Sequence, residues 1–211
     1  MADAASVLTV SPVVPVVTIE DPSQAVPLAR ALVDGGIRII ELTLRTGTAL
    51  DSLRLIADEV PDILVGAGTI LTPAQADAAV SAGARFLVSP GVTPGLLRHM
   101  LTLDVPLLPG VATVGEVMAV LEHGLKVMKF FPAGPAGGPS YLSAIGAPVP
   151  QVQFCPTGGI SLESAPDYLK LPNVACVGGS WLTPRSLVEA RDWTAISELA
   201  RQASALQSQG R

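Results

Sequence analysis

Residues 105–132 read VPLLPGVATVGEVMAVLEHGLKVMKFFP. Two short apolar runs, residues 105–108 and 125–130, flank a segment with helical periodicity over residues 114–123 that stops at Gly124. A short apolar run, an amphipathic segment and a second apolar run are the pattern of a strand, a crossover helix and a parallel strand. The same unit recurs in both directions. Toward the N-terminus, strands are expected at residues 13–17, 37–43, 63–67 and 86–89, with helices at 23–34, 48–60, 73–82 and 94–101. Toward the C-terminus come a short helix at 141–145, a strand at 151–155, a helix at 162–170 and a strand at 174–177. Residues 187–206 are largely helical, interrupted around Asp192. The punctuation agrees: Asp21 or Ser23 stands near a helix cap, Gly35-Gly36 ends that helix, and Pro73 takes a first helical position.

The alternation amounts to eight strand–helix units over 211 residues. Strict alternation argues an α/β fold with a parallel sheet, and eight units argue closure into a (β/α)8 TIM barrel. An open doubly wound sheet is the alternative. It normally carries a Gly-rich phosphate loop after its first strand, where this chain has Val17-Thr18-Ile19-Glu20. No linker or low-complexity segment breaks the pattern, so residues 1–211 are expected to form a single domain. A short N-terminal extension (about residues 1–11) and a C-terminal helical segment (about residues 185–207) flank the repeating units.

Composition narrows the function classes. Hydrophobic residues make up 49% of the chain, charged residues 15% and aromatics 4%, which suits strands buried on both faces by helices. The net charge is −5 without a basic run, so neither nucleic acid nor an anionic membrane is an expected partner. Cys155 and Cys176 lie in apolar strand-like runs and are expected to be buried thiols. Residues 1–9 lack the features of a signal peptide, and no apolar run reaches the ~18 residues of a membrane span. A cytoplasmic location is therefore expected.

In a barrel, the active site lies at the C-terminal ends of the strands. Lys129 sits there, between Val127-Met128 and Phe130-Phe131. If it points inward it is desolvated, which disfavours the ammonium and makes a free amine available to attack a carbonyl. A lysine that snorkels to solvent or pairs with a carboxylate is the alternative. Lys126 should face the other way and be exposed. Glu41, in Ile39-Ile40-Glu41-Leu42, is either a proton carrier facing that lysine or the partner of Arg45 in a buried ion pair. Arg45 at the rim can hold a carboxylate bidentately, or be an ordinary surface arginine. Thr157-Gly158-Gly159 and Gly178-Gly179-Ser180 close the last two strands, where this fold usually binds phosphate. His99 and His123 fall on predicted helices, and no metal-ligand spacing or Ser–His–Asp set is visible.

The motifs Glu41-Leu-Thr-Leu-Arg45-Thr, Gly66-Ala-Gly-Thr69, Ser89-Pro90-Gly91, Lys129-Phe-Phe-Pro132, Cys155-Pro-Thr157-Gly158-Gly159-Ile and Gly178-Gly179-Ser180-Trp follow one another from about Pro12 to Trp181. In this order the chain resembles the family of 2-dehydro-3-deoxy-6-phosphogluconate and 4-hydroxy-2-oxoglutarate aldolases. The resemblance implies a metal-free, cofactor-free class I aldolase, a homotrimeric barrel that takes a phosphorylated 2-keto acid to pyruvate and D-glyceraldehyde 3-phosphate. Cleavage of 4-hydroxy-2-oxoglutarate to pyruvate and glyoxylate is open to it as a side activity. It further implies Lys129 as the imine lysine and Glu41 as the acid/base. Arg45 and Thr69 would grip the pyruvate carboxylate, and Pro90 and Phe131 would shape the pocket. Thr157, Gly158, Gly159, Gly179 and Ser180 would bind phosphate. One departure is the loop after Pro132, Ala133-Gly-Pro-Ala-Gly-Gly, which is Gly-rich and lacks an acidic residue. Two rivals remain: a phosphosugar isomerase or synthase barrel working by acid/base pairs alone, and a non-catalytic barrel that binds a phosphate-containing ligand.

Overall fold

The computed structural model describes residues 4–206. Its nine strands are β1 (Val13–Val17), β2 (Ile39–Thr43), β3 (Leu64–Gly68), β4 (Leu87–Val88), β5 (Leu107–Leu108), β6 (Gly110–Val111), β7 (Val127–Phe130), β8 (Gln153–Pro156) and β9 (Val177–Gly179). All pair in parallel, in two ladders ordered β5-β4-β3-β2-β1-β9 and β6-β7-β8. The coarse expectation of a helix-covered parallel sheet is met. All five residues of β2 are buried, as a sheet covered on both faces requires.

Among the described residues, ten helices join and flank the strands. They are α1 (Ala4–Leu8), α2 (Ala25–Asp34), α3 (Ala49–Glu59), α4 (Pro73–Ser81), α5 (Pro94–Met100), α6 (Val114–Leu121), α7 (Gly138–Gly146), α8 (Ala165–Leu169), α9 (Arg185–Glu189) and α10 (Trp193–Ser204). Asp21 accepts from the Ser23 N–H at the 3-10 turn that leads into α2. Asp192, the expected interruption, caps α10 by accepting from the Ala195 N–H at 3.0 Å.

In α6 the cap is reciprocal. The Thr113 hydroxyl accepts from the Glu116 N–H, and the Glu116 carboxylate accepts from the Ala112 and Thr113 N–H groups, both at 2.8 Å. These bonds, the one from Ala112 foremost, hold the Glu116 carboxyl below its ordinary value of 4.5 against the opposing effect of burial. Glu116→Ala should therefore cost about 1 kcal/mol at neutral pH. A lowered folded-state value means that this contribution is complete above the unfolded value and fades as pH falls through the folded one. Urea unfolding at pH 7 and pH 3 checks this, and a deficit no smaller at pH 3 would contradict it.

The structure corrects three sequence expectations and adds a helix. The fifth expected strand continues past residue 108: Pro109, which has no N–H to give a ladder, splits it into β5 and β6. The last strand lies at Val177–Gly179 rather than at residues 174–177, because its partners on β1 are Val13, Val14 and Pro15, while Val174 makes only an isolated bridge to Phe154. The N-terminal extension carries a helix, α1, whose Val7 and Leu8 are buried in the core. Helix α6 ends at Leu121, so His123 lies beyond it. Residues 1–3 of that extension and residue 207 of the C-terminal segment lie outside the described residues. No helix among the described residues is long and apolar enough to cross a membrane.

Candidate active site

The site begins with the packing that turns β7. Phe130 stacks on Tyr141 of α7 at 5.6 Å and meets Phe154 of β8 edge-on at 6.3 Å. With Phe130 committed to the helix-covered side, strand alternation sends Lys129 to the opposite face. There Lys129 is 5% exposed, whereas Lys126 is exposed as expected. Lys129 Nζ donates to both Glu41 oxygens, at 3.0 and 3.3 Å, and Glu41 is itself 3% exposed. The carboxylate that could have paired with Arg45 pairs with the lysine instead. Lys129 Nζ also lies 5.6 Å from the Phe131 ring centroid.

Room for Glu41 comes from a glycine. In the register Thr43↔Gly68, a methyl group at Gly68 would collide with the Glu41 carboxylate. The Gly66-Ala-Gly-Thr69 motif therefore has a spatial reason beyond its threonine. Thr69 follows with φ 62, a left-handed conformation rare outside glycine. From there its hydroxyl accepts from Arg45 Nε at 3.1 Å. Arg45 is exposed, and that bond fixes the plane of its guanidinium while leaving the Nη groups to a ligand.

A cavity of about 200 Å³ lies over this group, lined by Arg45, Lys129, Phe131, Thr157, Gly158, Gly159, Gly178, Gly179 and Ser180 among others. Thus residues from four separate motifs converge. Glu41 meets the cavity only through Lys129 and Thr69 only through Arg45, and Pro90 does not line it: the Pro90 backbone packs where Gly110 leaves space between β4 and β6. Gly158 and Gly159 have φ of 101 and 75, open only to glycine at low cost. Gly178 lets the Thr157 hydroxyl approach, since any Cβ there would collide with it. The unusual loop after Pro132 supports this wall. Ala133 N–H donates to the Thr157 carbonyl at 2.8 Å and Gly134 N–H to the Gly158 carbonyl at 2.9 Å. The Phe131–Pro132 peptide bond is cis.

Two lining residues escaped the sequence reading, Val16 and Thr18 at the end of β1. Their position at a C-terminal strand end was the available signal. A neighbouring cavity of about 600 Å³ shares Val16, Thr18 and Ser180 and is walled by Glu20, Asp21, Arg185 and Glu189. It holds no lysine and neither Gly pair, so the chemistry belongs to the smaller one. Among the described residues, no group of three or more His, Cys, Asp or Glu side chains could hold a metal ion. Cys155 and Cys176 are both buried.

Comparison with known proteins identifies the family. The family model described as "Aldolase: KDPG and KHG aldolase" matches residues 4–199. The KHG/KDPG aldolase of Escherichia coli (strain K12) is 51% identical over 200 residues, 95% of this chain and 94% of that one. The 2-dehydro-3-deoxy-phosphogluconate aldolase of Dickeya dadantii (strain 3937) is 50% identical over 202 residues, covering 96% and 95%. Among solved structures, the KDPG aldolase of Legionella pneumophila, with pyruvate captured at low pH as a covalent carbinolamine intermediate, superposes with a TM-score of 0.95. It is 48% identical, with coverage of 97% of this chain and 99% of that one. The Zymomonas mobilis ZM4 enzyme with 3-phosphoglycerate gives a TM-score of 0.95 at 45% identity, covering 100% and 99%. The chain belongs to the KDPG and KHG aldolase family and is a carbon–carbon lyase.

Proposed function

We propose that the chain is a class I aldolase that cleaves 2-dehydro-3-deoxy-6-phosphogluconate to pyruvate and D-glyceraldehyde 3-phosphate through an imine on Lys129. The observation that carries this reading is the buried Lys129–Glu41 pair at 3.0 Å, whose lysine lines a cavity walled by the two Gly pairs while Glu41 stands behind it. A proton shared across that pair can rest on either partner, so transfer to Glu41 leaves a neutral amine. The amine attacks the C2 carbonyl of the substrate, and Glu41 returns the proton as the carbinolamine loses water. In the resulting iminium ion, Glu41 takes the C4 hydroxyl proton and the C3–C4 electron pair moves toward nitrogen. This releases the aldehyde and leaves an enamine. Protonation at C3 and attack by water then free pyruvate and regenerate the lysine.

Arg45, held by Thr69, grips the pyruvate carboxylate in this proposal, and Phe131 closes the cavity wall beside the imine. Thr157, Gly158, Gly159, Gly179 and Ser180 hold the phosphate, with Pro90 as a support behind β6. The carbinolamine of the Legionella relative and the 3-phosphoglycerate of the Zymomonas relative support the two halves of the assignment. The rivals without an imine gain nothing from a buried Lys–Glu pair, which is costly unless used. 4-Hydroxy-2-oxoglutarate, which needs only the pyruvate half, is a second substrate in this reading, in keeping with the E. coli relative's name. The test is direct: pyruvate release from each substrate, coupled to lactate dehydrogenase. Turnover of neither substrate by folded protein would sink the proposal. Arg45→Ala should raise KM about 10-fold or more with a smaller change in kcat, as expected for loss of a charge-assisted contact. An unchanged KM would remove Arg45 from the carboxylate site.

The remaining expectations join this proposal. Closure of the single domain into a (β/α)8 barrel is supported by Pro109 being the lone residue between β5 and β6. Parallel bridges Phe154↔Val174 and Thr157↔Gly178, between β8 and the approach to and centre of β9, support it as well. A homotrimer rests on the family resemblance alone. A cytoplasmic location fits the buried thiols.

A further inference from the structure

Within the cavity, Arg45, Lys129, Thr157 and Ser180 are accounted for by carboxylate, carbonyl and phosphate. One polar side chain is left, Thr18. Its hydrogen bonds have a fixed direction. Thr43, fully buried on β2, donates its hydroxyl proton to the Val17 carbonyl at 3.0 Å, because a carbonyl can only accept. Thr18 Oγ1 lies 2.8 Å from Thr43 Oγ1. With the Thr43 proton committed, Thr18 is the donor in that contact, and its oxygen is left to the cavity as an acceptor. The relay runs from Thr18 through Thr43 to the backbone of β1, so the acceptor is oriented before any ligand arrives.

Its place in the sheet says what it accepts from. β1 stands between β2, which carries Glu41, and β9, which ends at Gly179 with Ser180 directly after it. In register, Val16 is opposite Glu41 and Pro15 opposite Gly179. Thr18 therefore lies beyond both, between the carboxyl that handles the C4 hydroxyl and the wall that holds the C6 phosphate. The atom between C4 and C6 is C5, which bears a hydroxyl in the phosphogluconate-derived substrate. We propose that Thr18 accepts a hydrogen bond from the C5 hydroxyl and so determines preference for substrates hydroxylated there. This rests on the aldolase reading above. In 4-hydroxy-2-oxoglutarate, C5 is a carboxylate, which has no proton to donate and gains nothing from an acceptor.

The test is the ratio of kcat/KM for 2-dehydro-3-deoxy-6-phosphogluconate to that for 4-hydroxy-2-oxoglutarate, in wild type, Thr18→Val and Thr18→Ser. Valine matches the shape of threonine without the acceptor, and serine restores it. The ratio should fall about tenfold in Thr18→Val, the effect of one neutral hydrogen bond, and recover in Thr18→Ser. Equal losses on both substrates, or an unchanged ratio, overturn the inference and leave the aldolase reading standing. Wild-type protein that forms no borohydride-stable adduct with pyruvate would overturn both.

Discussion

Lys129→Ala should be inactive on both substrates, with a loss of roughly 10⁴- to 10⁶-fold, the scale seen when a covalent nucleophile is removed. The loss is this large because every later step needs the iminium nitrogen as its electron sink. Nothing else in the cavity can form one, since among the described residues Lys129 is the only lysine that lines it. The variant also has a cost in stability. Glu41 is 3% exposed, and removing its partner leaves a buried carboxylate without compensation, on the order of 3–5 kcal/mol unless it takes up a proton. Activity must therefore be read on protein shown to be folded by circular dichroism. Lys129→Met, which keeps the stem packed beside Phe131, is the better-folded companion. Turnover within a factor of ten of wild type in either folded variant would refute the covalent mechanism.

Glu41→Gln should lower kcat by about 10²- to 10⁴-fold, the usual contribution of a positioned acid/base group. Glutamine retains the shape that Gly68 makes room for, and its amide oxygen can still accept from Lys129. The amide cannot carry a proton between carbinolamine, C4 hydroxyl and enamine. Imine formation should persist at a reduced rate while carbon–carbon cleavage nearly stops. Steady-state kinetics and the rate of pyruvate trapping separate the two steps. A kcat within threefold of wild type would assign the proton transfers to another group or to water.

How far the sequence could be read varies with the physical origin of each feature. The helices were legible because their signals are local: Asp21 is a cap and Pro73 opens its helix as read, and the structure adds caps at Thr72, Thr93, Thr113 and Asp192. Lys129 and Glu41 stood out because a charge inside a strand of Val, Ile and Phe needs a reason. Their mutual distance did not stand out, since 88 residues separate them in the chain. Strand β9 was misplaced because Gly178 and Gly179 have little strand propensity and are held only by pairing with β1. The role of Gly68 beside Glu41 depends on cross-strand register, which no local pattern contains. The strand-end position of Thr18 was a local signal for a pocket residue, but its role as an acceptor lies in the hydroxyl of Thr43, one strand away.

The measurement that bears most directly on the central claim is borohydride reduction of the protein in the presence of pyruvate, followed by intact mass and peptide mapping. One reduced pyruvate adduct per chain is expected, on the peptide that contains Lys129, and none in Lys129→Met. An adduct on another lysine, or none on folded wild-type protein, would contradict that claim.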